Sequence, residues 1–258
     1  MSEAPRIAVD DLWVSRDGRD GPIDVLAGMS LVVEPGEIVA MVGPSGCGKS
    51  TLLGVLAGLE APSAGVVRLD GVDRPDRLGG LALMPQRDAL LPWRTALDNV
   101  ACSVGWSSAR SGDDESRAMD ALARVGLEGF EDHYPHALSG GMRQRVALAR
   151  TLASGARAWL LDEPFGALDA LTRAALHREL ERAWRSVGSS VLLVTHDLDE
   201  AIVLADRVYV SAPRPGRIVA EVAVALGRPR AAADTTRPEF VRLKEELLGV
   251  LASTEAVA

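Results

Sequence analysis

The stretch that most constrains this chain is a glycine-rich loop of nine residues. It reads Gly43-Pro44-Ser45-Gly46-Cys47-Gly48-Lys49-Ser50-Thr51 and fits the pattern G-x-x-x-x-G-K-[ST]. Glycines allow backbone N–H groups to turn toward phosphate oxygens, because no Cβ stands in the way. The lysine supplies a positive charge for the β- and γ-phosphates, and the serine hydroxyl after it can bind Mg²⁺. The stretch therefore predicts the phosphate loop of a nucleoside triphosphate site.

The flanks of this loop favour that interpretation over a chance match. An apolar run of strand length, residues 38–42, precedes the loop, and Gly58 is a plausible helix stop after it. Apolar residues between them recur at helical spacing: Leu52, Leu53, Val55, Leu56 and Leu59. Strand, loop and helix is the order that the motif requires. Cys47 inside the loop is interpreted as a small tolerated side chain, with a redox sensor as the alternative.

Composition places the chain among soluble globular proteins. The chain has 258 residues, of which 47% are hydrophobic and 25% charged, which suits one large α/β domain. A net charge of −8 indicates no nucleic-acid partner. No secretory signal or apolar run of about 18 residues is evident. Cys47 and Cys102 form no disulfide framework. We expect the chain to work in the cytoplasm.

Strand and helix patterns alternate in the first and last thirds of the chain, which predicts a parallel α/β sheet with helices on both faces. Strands are predicted at residues 7–12, 31–33, 38–42, 66–70, 81–84, 158–162, 191–195, 207–210 and 217–222. Helical spacing between Leu171 and Val187, with Gly188 as its cap, predicts a long helix.

The stretch between these thirds reads as a mostly helical insert. Residues 107–115 are predicted to form a polar loop, and residues 116–125 a helix. We predict a single domain, 1–258, made of four segments: a nucleotide-binding core over 1–86 and 153–222, a helical insert over 87–152, and a C-terminal extension over 223–258. The terminal helix, residues 237–250, is interpreted as either a packing or a regulatory element.

Polar side chains follow three of the apolar strands. Asp162 and Glu163 stand at the end of strand 158–162, where open α/β sheets bind ligands. Asp162 would hold Mg²⁺ and Glu163 would polarise the attacking water; the alternative is a pair of loop or helix-capping acids. His196 ends another strand and could reach the γ-phosphate, although a lone histidine is often a surface or core residue. Gln86 also follows a strand and could bring its amide to Mg²⁺ or water.

A second glycine-containing segment is Leu138-Ser139-Gly140-Gly141-Met142-Arg143-Gln144. It precedes a stretch with helical spacing, residues 145–152. The residues by themselves are compatible with a plain helix N-cap or with a second helix N-terminus that faces phosphate.

Taken in order, these motifs resemble the ATP-binding subunits of ABC transporters. The residues that carry the resemblance are the phosphate loop, Gln86, residues 138–144, Leu160-Leu161-Asp162-Glu163-Pro164, Ala167-Leu168-Asp169 and His196. The match covers roughly residues 7–217, and the Leu-Ser-Gly-Gly segment is diagnostic. It implies a P-loop NTPase (RecA-like) α/β fold with a mostly parallel sheet, an ABC-type antiparallel β part and a helical subdomain.

The resemblance also implies how the site works. Two copies would form a head-to-tail homodimer that holds two ATP molecules with Mg²⁺ at its interface. The signature residues of one copy would face the γ-phosphate in the other copy; they are Ser139, Gly140, Gly141 and Gln144. Glu163 would be the catalytic base, His196 the γ-phosphate sensor, and Asp169 a link between the two sites. Ser50, Gln86 and Asp162 would serve the metal, and Gln86 would also signal to a membrane partner.

Further segments are similar to the nitrate/sulfonate/taurine importer subgroup: Leu90-Leu91-Pro92-Trp93-Arg94, Tyr134-Pro135-His136, residues 164–169 and residues 211–217. Trp93 would contact an integral membrane permease, and an extracytoplasmic substrate-binding protein would be an indirect partner. The alternative places Trp93 in the core of the insert. With a permease as partner, the chain would be a peripheral protein at the cytoplasmic face of the cell membrane.

One position departs from the family pattern. Family members usually carry an aromatic residue that stacks on adenine near the end of the first strand, and this chain has Arg16 there. Its guanidinium plane could stack on the base instead. A second function remains open: a soluble ABC-type ATPase that acts as an assembly or interaction module without a permease. The transported solute is not encoded in these motifs.

Overall fold

The computed structural model describes residues 4–19, 21–73, 80–104 and 112–255. Within them, the strands are β1 (Ile7–Gly18), β2 (Gly21–Val33), β3 (Ile38–Val42), β4 (Ala64–Leu69), β5 (Val72–Asp73), β6 (Ala82–Met84), β7 (Ala158–Asp162), β8 (Ser190–Thr195), β9 (Arg207–Ser211) and β10 (Ile218–Ala223). The helices are α1 (Lys49–Leu56), α2 (Ala96–Val104), α3 (Gly112–Arg124), α4 (Gly140–Ala153), α5 (Ala170–Val187), α6 (Leu198–Leu204) and α7 (Pro238–Glu255). Two short 3₁₀ helices lie at Pro135–Ala137 and Ala232–Thr236.

The larger sheet has six strands in the order β10-β9-β3-β8-β7-β6. Strands β9, β3, β8, β7 and β6 run parallel, and β10 is antiparallel to β9. Val42 pairs with Thr195, and Asp162 pairs with Val194. The residues that follow β3, β7 and β8 therefore emerge at one edge of the sheet.

The smaller sheet is antiparallel, in the order β2-β1-β4-β5. Its first two strands are longer than predicted: β1 continues to Gly18, and β2 begins at Gly21 rather than near residue 31. The outer halves of both strands carry exposed polar residues, and register shifts interrupt their alternation. Backbone pairing extends these strands where the apolar pattern has ended.

The six-stranded sheet is buried on both faces, and β3 shows how. Ile38, Ala40 and Val42 pack into one core with apolar residues of α2, α4, α5, α6 and α7. Val39 and Met41 point into the other core. That second core contains α1 and the inner face of the four-stranded sheet. Helices therefore lie on both faces, as the sequence predicts, and on this second face the antiparallel sheet packs beside α1.

The stretch between β6 and β7 is helical in its described part, as the sequence predicts. Helix α3 begins at Gly112, so the loop predicted for 107–115 is wrong from Gly112 onward; residues 107–111 lie outside the described residues. Three acidic residues in its first turn, Asp113, Asp114 and Glu115, favour the helix through its dipole. The terminal helix α7 runs to Glu255, five residues beyond the predicted end. The division into core, insert and extension stays a prediction.

Candidate nucleotide-binding site

The phosphate loop joins β3 to α1 at the edge where the parallel strands end. Gly46 and Gly48 have φ values of 81° and 93°, which favour glycine. A Cβ on Gly48 would also meet the Leu26 side chain and the Val25 carbonyl oxygen, so another residue would be strained at this position. Gly48 is the N-cap of α1, and no side chain of the described residues caps this helix. An uncapped helix start beside a glycine loop is suited to bind an anion.

Lys49 folds back over the same loop. Its Nζ donates hydrogen bonds to the carbonyl oxygens of Gly43, at 2.8 Å, and Pro44, at 2.9 Å. The side chain is almost fully buried, and Cys47 beside it is completely buried. The ammonium group is therefore held inside the loop, where phosphate oxygens can replace the two carbonyls. The burial of Cys47 favours its interpretation as a small packing residue.

Asp162 and Ser50 meet at the floor of the site. Asp162 ends β7 and is 5% exposed, and burial raises the pKa of its carboxyl group, while a hydrogen bond with Ser50 opposes that shift. The two side chains together present oxygen atoms, which are the ligands that Mg²⁺ prefers. Among the described residues, no cluster of three or more His, Cys, Asp or Glu could hold a metal by itself. This donor set fits a Mg²⁺ that arrives with the nucleotide and shares its phosphates.

Glu163 lies at the centre of a hydrogen-bonded group. Gln86 donates from Nε2 to Glu163 Oε2 at 2.9 Å, and His196 Nδ1 lies 3.2 Å from Glu163 Oε1. Glu163 has a φ of 48°, a left-handed conformation that is strained for a residue with a side chain. Its backbone N–H donates to the Val194 carbonyl oxygen at 2.8 Å, which anchors it to β8. The sheet thus brings together three residues that lie far apart in sequence.

A cavity of about 390 Å³ opens beside these groups. It is lined by Arg16, Val25, Ser45, Gly46, Gly48, Lys49, Ser50, Thr51, Gln86, Glu163 and Arg214. The volume lies in the usual range for small-molecule sites. Sequence reasoning missed Val25 and Arg214, which enter from β2 and from the segment between β9 and β10.

Arg16 reaches the cavity in an ion pair. Its guanidinium group donates to both carboxylate oxygens of Glu60 at 2.8–3.1 Å and to the hydroxyl of Thr51 at 3.2 Å. The hydrogen bond with Glu60 raises the pKa of Arg16. The predicted adenine-stacking residue is therefore tied to Glu60 and to the end of the phosphate loop. No pattern in the sequence marked Glu60, which follows α1, as a residue of the site.

The Ser139–Gly141 segment begins α4 on the surface of the chain. Ser139 is the N-cap, and its Oγ accepts a hydrogen bond from the Met142 N–H at 3.2 Å. Ser139 and Gly140 are exposed, and none of the three residues lines the cavity of the same chain. Gln144 differs from them because it is 6% exposed and donates to the Glu163 carbonyl oxygen, at 3.4 Å. The structure thus places Gln144 inside its own chain.

Asp169 caps α5 by accepting hydrogen bonds from the N–H groups of Leu171 and Thr172. These bonds, first the one from Thr172, lower the pKa of Asp169. Arg173 on the same helix donates to the Leu168 carbonyl oxygen, at 3.2 Å, and to Asp197, at 2.9 Å. Arg173 therefore ties the turn that carries Asp169 to the turn that follows His196.

Trp93 is 70% exposed, so the alternative that it lies in the core of the insert is wrong. The buried Asn99 of α2 holds the turn around it: Oδ1 accepts from the Leu91 N–H, and Nδ2 donates to the carbonyl oxygens of Leu91, Arg94 and Thr95. These bonds present the indole ring on a fixed backbone.

The sequence profile of the ABC transporter family matches residues 26–166, which span the phosphate loop, Ser139–Gly141 and Glu163. The taurine import ATP-binding protein TauB of Yersinia pestis bv. Antiqua (strain Antiqua) is 41% identical over 246 residues, which cover 93% of this chain and 95% of the relative. The chain belongs to the ABC transporter family.

Other ABC proteins agree with this assignment. The aliphatic sulfonates import ATP-binding protein SsuB 1 of Shouchella clausii (strain KSM-K16) is 46% identical over 228 residues, which cover 88% of this chain and 85% of the relative. The dimeric ABC cassette MJ0796, in a post-hydrolysis state with ADP and Pi, superposes with a TM-score of 0.79 at 30% identity. That match covers 86% of this chain and all of the cassette. The chain is thus an ABC ATPase, with the fold that the sequence predicted.

Proposed function

We propose that this ABC ATPase powers the import of a small solute of the taurine or sulfonate type, as half of a dimer bound to a membrane permease. The observation that carries the proposal is the separation of two parts of one site. The phosphate loop, Asp162 and Glu163 lie together, whereas Ser139–Gly141 lies exposed and outside the cavity of its own chain. A second copy of the chain is the natural source of the missing part, because a two-fold axis would complete both sites at once.

Hydrolysis would depend on the Glu163 group. The carboxylate accepts a hydrogen bond from Gln86 and lies beside His196, so it is oriented before substrate arrives. We infer that Glu163 takes the proton of the attacking water as the oxygen approaches the γ-phosphorus, and that ADP and phosphate are the products. His196 would contact the γ-phosphate, and Lys49 would exchange its two carbonyl partners for phosphate oxygens.

Ser50 and Asp162 would hold the metal ion that accompanies ATP, with Gln86 close to it. Bound Mg²⁺ would neutralise part of the negative charge that develops on the phosphates. The buried Asp162 suits this role, because burial makes its charged form costly until a cation is present.

The dimer would place Ser139–Gly141 of one copy against the γ-phosphate in the other. Ser139 is suited to this contact because its oxygen already accepts from Met142, while its O–H donates to none of the described residues. The cassette MJ0796, similar in fold, is itself described as dimeric in two solved structures. Asp169, on a turn tied to that of His196 by Arg173, would link the two sites.

The membrane partner would bind at Trp93. An exposed indole on a rigid turn is the kind of residue that anchors protein interfaces. Within the described ranges, no helix has the length and apolar character needed to cross a bilayer. Because the relatives are import ATP-binding proteins, we propose a peripheral position at the cytoplasmic face of the membrane. A separate extracytoplasmic binding protein would deliver the solute, since the relatives are named for taurine and sulfonate import.

Proteoliposomes that contain the cognate permease test this proposal. The parent chain should bind to them and drive ATP-dependent uptake of radiolabelled taurine or an alkanesulfonate. Trp93→Ala should weaken binding by about tenfold or more, as truncation of an interface anchor does, while the ATPase activity of the free chain stays unchanged. Leu248→Ala is the control. Leu248 is also apolar and exposed, but it lies on α7, away from Trp93 in the sequence, and this variant should bind normally.

Two results would overturn the proposal. If the parent chain fails to bind permease vesicles but hydrolyses ATP, the chain is instead a soluble module. If Trp93→Ala and Leu248→Ala behave alike, the permease contacts a different surface.

A further inference from the structure

The cavity has two ends that sheet order sets apart. Gln86 follows β6 and Glu163 follows β7, which lie to one side of β3 and its phosphate loop. Arg214 follows β9, which lies on the other side of β3. Hydrolysis needs the γ-phosphate beside Glu163. A nucleotide that places it there must extend its ribose and base toward the end that contains Arg16, Val25 and Arg214.

Arg16 is committed at this end by its contacts. Its Nε and Nη2 atoms are occupied by the Glu60 carboxylate, and Nη2 also donates to Thr51 Oγ1. An arginine paired with a carboxylate has its charge compensated and its donors used. Arg16 therefore supports the end of the phosphate loop, and stacking on the base would require it to leave Glu60.

Arg214 differs in its partners. Its Nε donates to the Asp24 carbonyl oxygen at 3.3 Å, and no carboxylate of the described residues lies within ion-pair distance of it. Arg214 is also one of the residues that line the cavity. Asp24 is next to Ile23, which pairs with Arg16 between β1 and β2, so Arg214 and Arg16 lie at the same end of the cavity. Arg214 is therefore the cation at this end whose charge no described carboxylate compensates.

The backbone next to Arg214 is locked to the phosphate loop. The Gly216 N–H donates to the Val25 carbonyl oxygen at 2.8 Å, and the Ala27 N–H donates to the Gly216 carbonyl oxygen at 3.0 Å. A Cβ on Gly216 would overlap the carbonyl oxygen of Cys47 in the phosphate loop. Only glycine permits this approach. The segment therefore holds Arg214 at a set place relative to the bound phosphates.

We propose that Arg214 binds the base and ribose end of ATP, with its guanidinium plane against the purine, and that it takes the place of the aromatic residue usual in this family. A planar cation over an aromatic ring is favourable, and more so when water is excluded. This assignment rests on the proposed nucleotide site. It gives Arg16 a different task, which is to hold Glu60 and Thr51 in position.

Binding of two ligands to the purified chain tests the assignment. ATP carries a base and ribose, whereas inorganic tripolyphosphate carries only the phosphates. Arg214→Ala should weaken ATP binding by about tenfold, equal to about 1.4 kcal/mol, and leave tripolyphosphate binding within about twofold. Arg214→Lys keeps the charge but not the plane, and it should resemble Arg214→Ala. Arg217→Ala is the control, because Arg217 is exposed three residues later and lies outside the cavity lining.

The outcomes separate this assignment from the proposed function. Equal losses for ATP and tripolyphosphate, or full rescue by lysine, would mean that Arg214 contacts phosphate and would overturn the assignment. Unchanged ATP binding in Arg214→Ala would overturn it as well. A parent chain that binds neither ligand would overturn the proposed function and this assignment with it.

Discussion

Two helix N-termini of this chain are proposed to face phosphate, and they are built in opposite ways. Helix α1 starts at Gly48 without a side-chain cap, and the glycine is packed against Leu26 in the interior. Helix α4 starts at Ser139, which caps it with its own hydroxyl and lies on the surface. The first is shaped by its own sheet for a ligand that it encloses. The second is complete without a ligand and presents one remaining donor outward.

The caps of the next two helices sharpen this difference. Helices α5 and α6 are capped by Asp169 and Asp197, whose carboxylates accept two backbone N–H bonds each. A carboxylate cap stabilises a helix as well as serine does, but it repels phosphate. A neutral cap at Ser139 is therefore what a phosphate-facing helix requires, whereas the acidic caps suit helix starts that do not contact phosphate.

The largest effect should come from the enclosed helix start. Lys49→Ala removes the cation held at the Gly43 and Pro44 carbonyls, so ATP affinity should fall at least about 100-fold and turnover about 1000-fold. Glu163→Gln is the matched variant: it should lose turnover to a similar extent but keep ATP binding, because its role begins with the attacking water. Calorimetry with ATP and a phosphate-release assay measure the two quantities. Normal turnover in either variant would contradict the role assigned to it.

A smaller effect is expected at the exposed helix start. Ser139→Asp keeps a good N-cap but replaces the free O–H with a negative charge, so turnover should fall about 100-fold. ATP binding by the single chain and its thermal midpoint should stay close to those of the parent. Ser139→Ala should instead lower stability by about 1 kcal/mol through loss of the cap.

The comparison would fail if Ser139→Asp weakened ATP binding by the isolated chain. That result would place Ser139 in the site of its own chain rather than opposite a second copy.

The smallest effect concerns Glu200, in the first turn of α6. Burial raises the pKa of Glu200 to about 8, and the charge of Asp197 adds a smaller contribution, while Thr195 and Arg173 oppose the shift. Its Oε1 atom is buried and has no hydrogen-bond partner among the described residues. The folded chain therefore keeps a proton that the unfolded chain loses above about pH 4.5. The stability of the fold is unaffected by this group below about pH 4.5, falls as pH rises from there to about 8, and changes no further at higher pH. Glu200→Gln should be more stable than the parent at pH 9 by about 1–2 kcal/mol and similar at pH 5. Urea unfolding at pH 5 and pH 9 measures the free energy of unfolding of both chains. If the difference between variant and parent is the same at both pH values, Glu200 does not keep its proton in the fold.

The sequence predicted the strands that are buried on both faces and the residues at their ends. Residues 38–42, 158–161 and 191–194 are continuous apolar runs, and a parallel strand in a covered sheet needs that pattern. It underestimated β1 and β2, because most residues of their outer halves are exposed and the apolar alternation is interrupted there by register shifts. It also missed the start of α3, where four small or acidic residues resemble a loop but suit a helix N-terminus.

The sequence by itself was enough to predict the phosphate chemistry of this protein. A glycine loop, its lysine and the acids after a buried strand are short-range patterns, and each carries its chemical reason within a few residues. Only the tertiary structure decided which groups meet across long separations: Gln86 and His196 on Glu163, Glu60 on Arg16, and Gly216 on the phosphate loop. These contacts depend on strand order and on the close approach of two backbones, which no local pattern records. For that reason the sequence pointed to Arg16 for the base, whereas the fold points to Arg214.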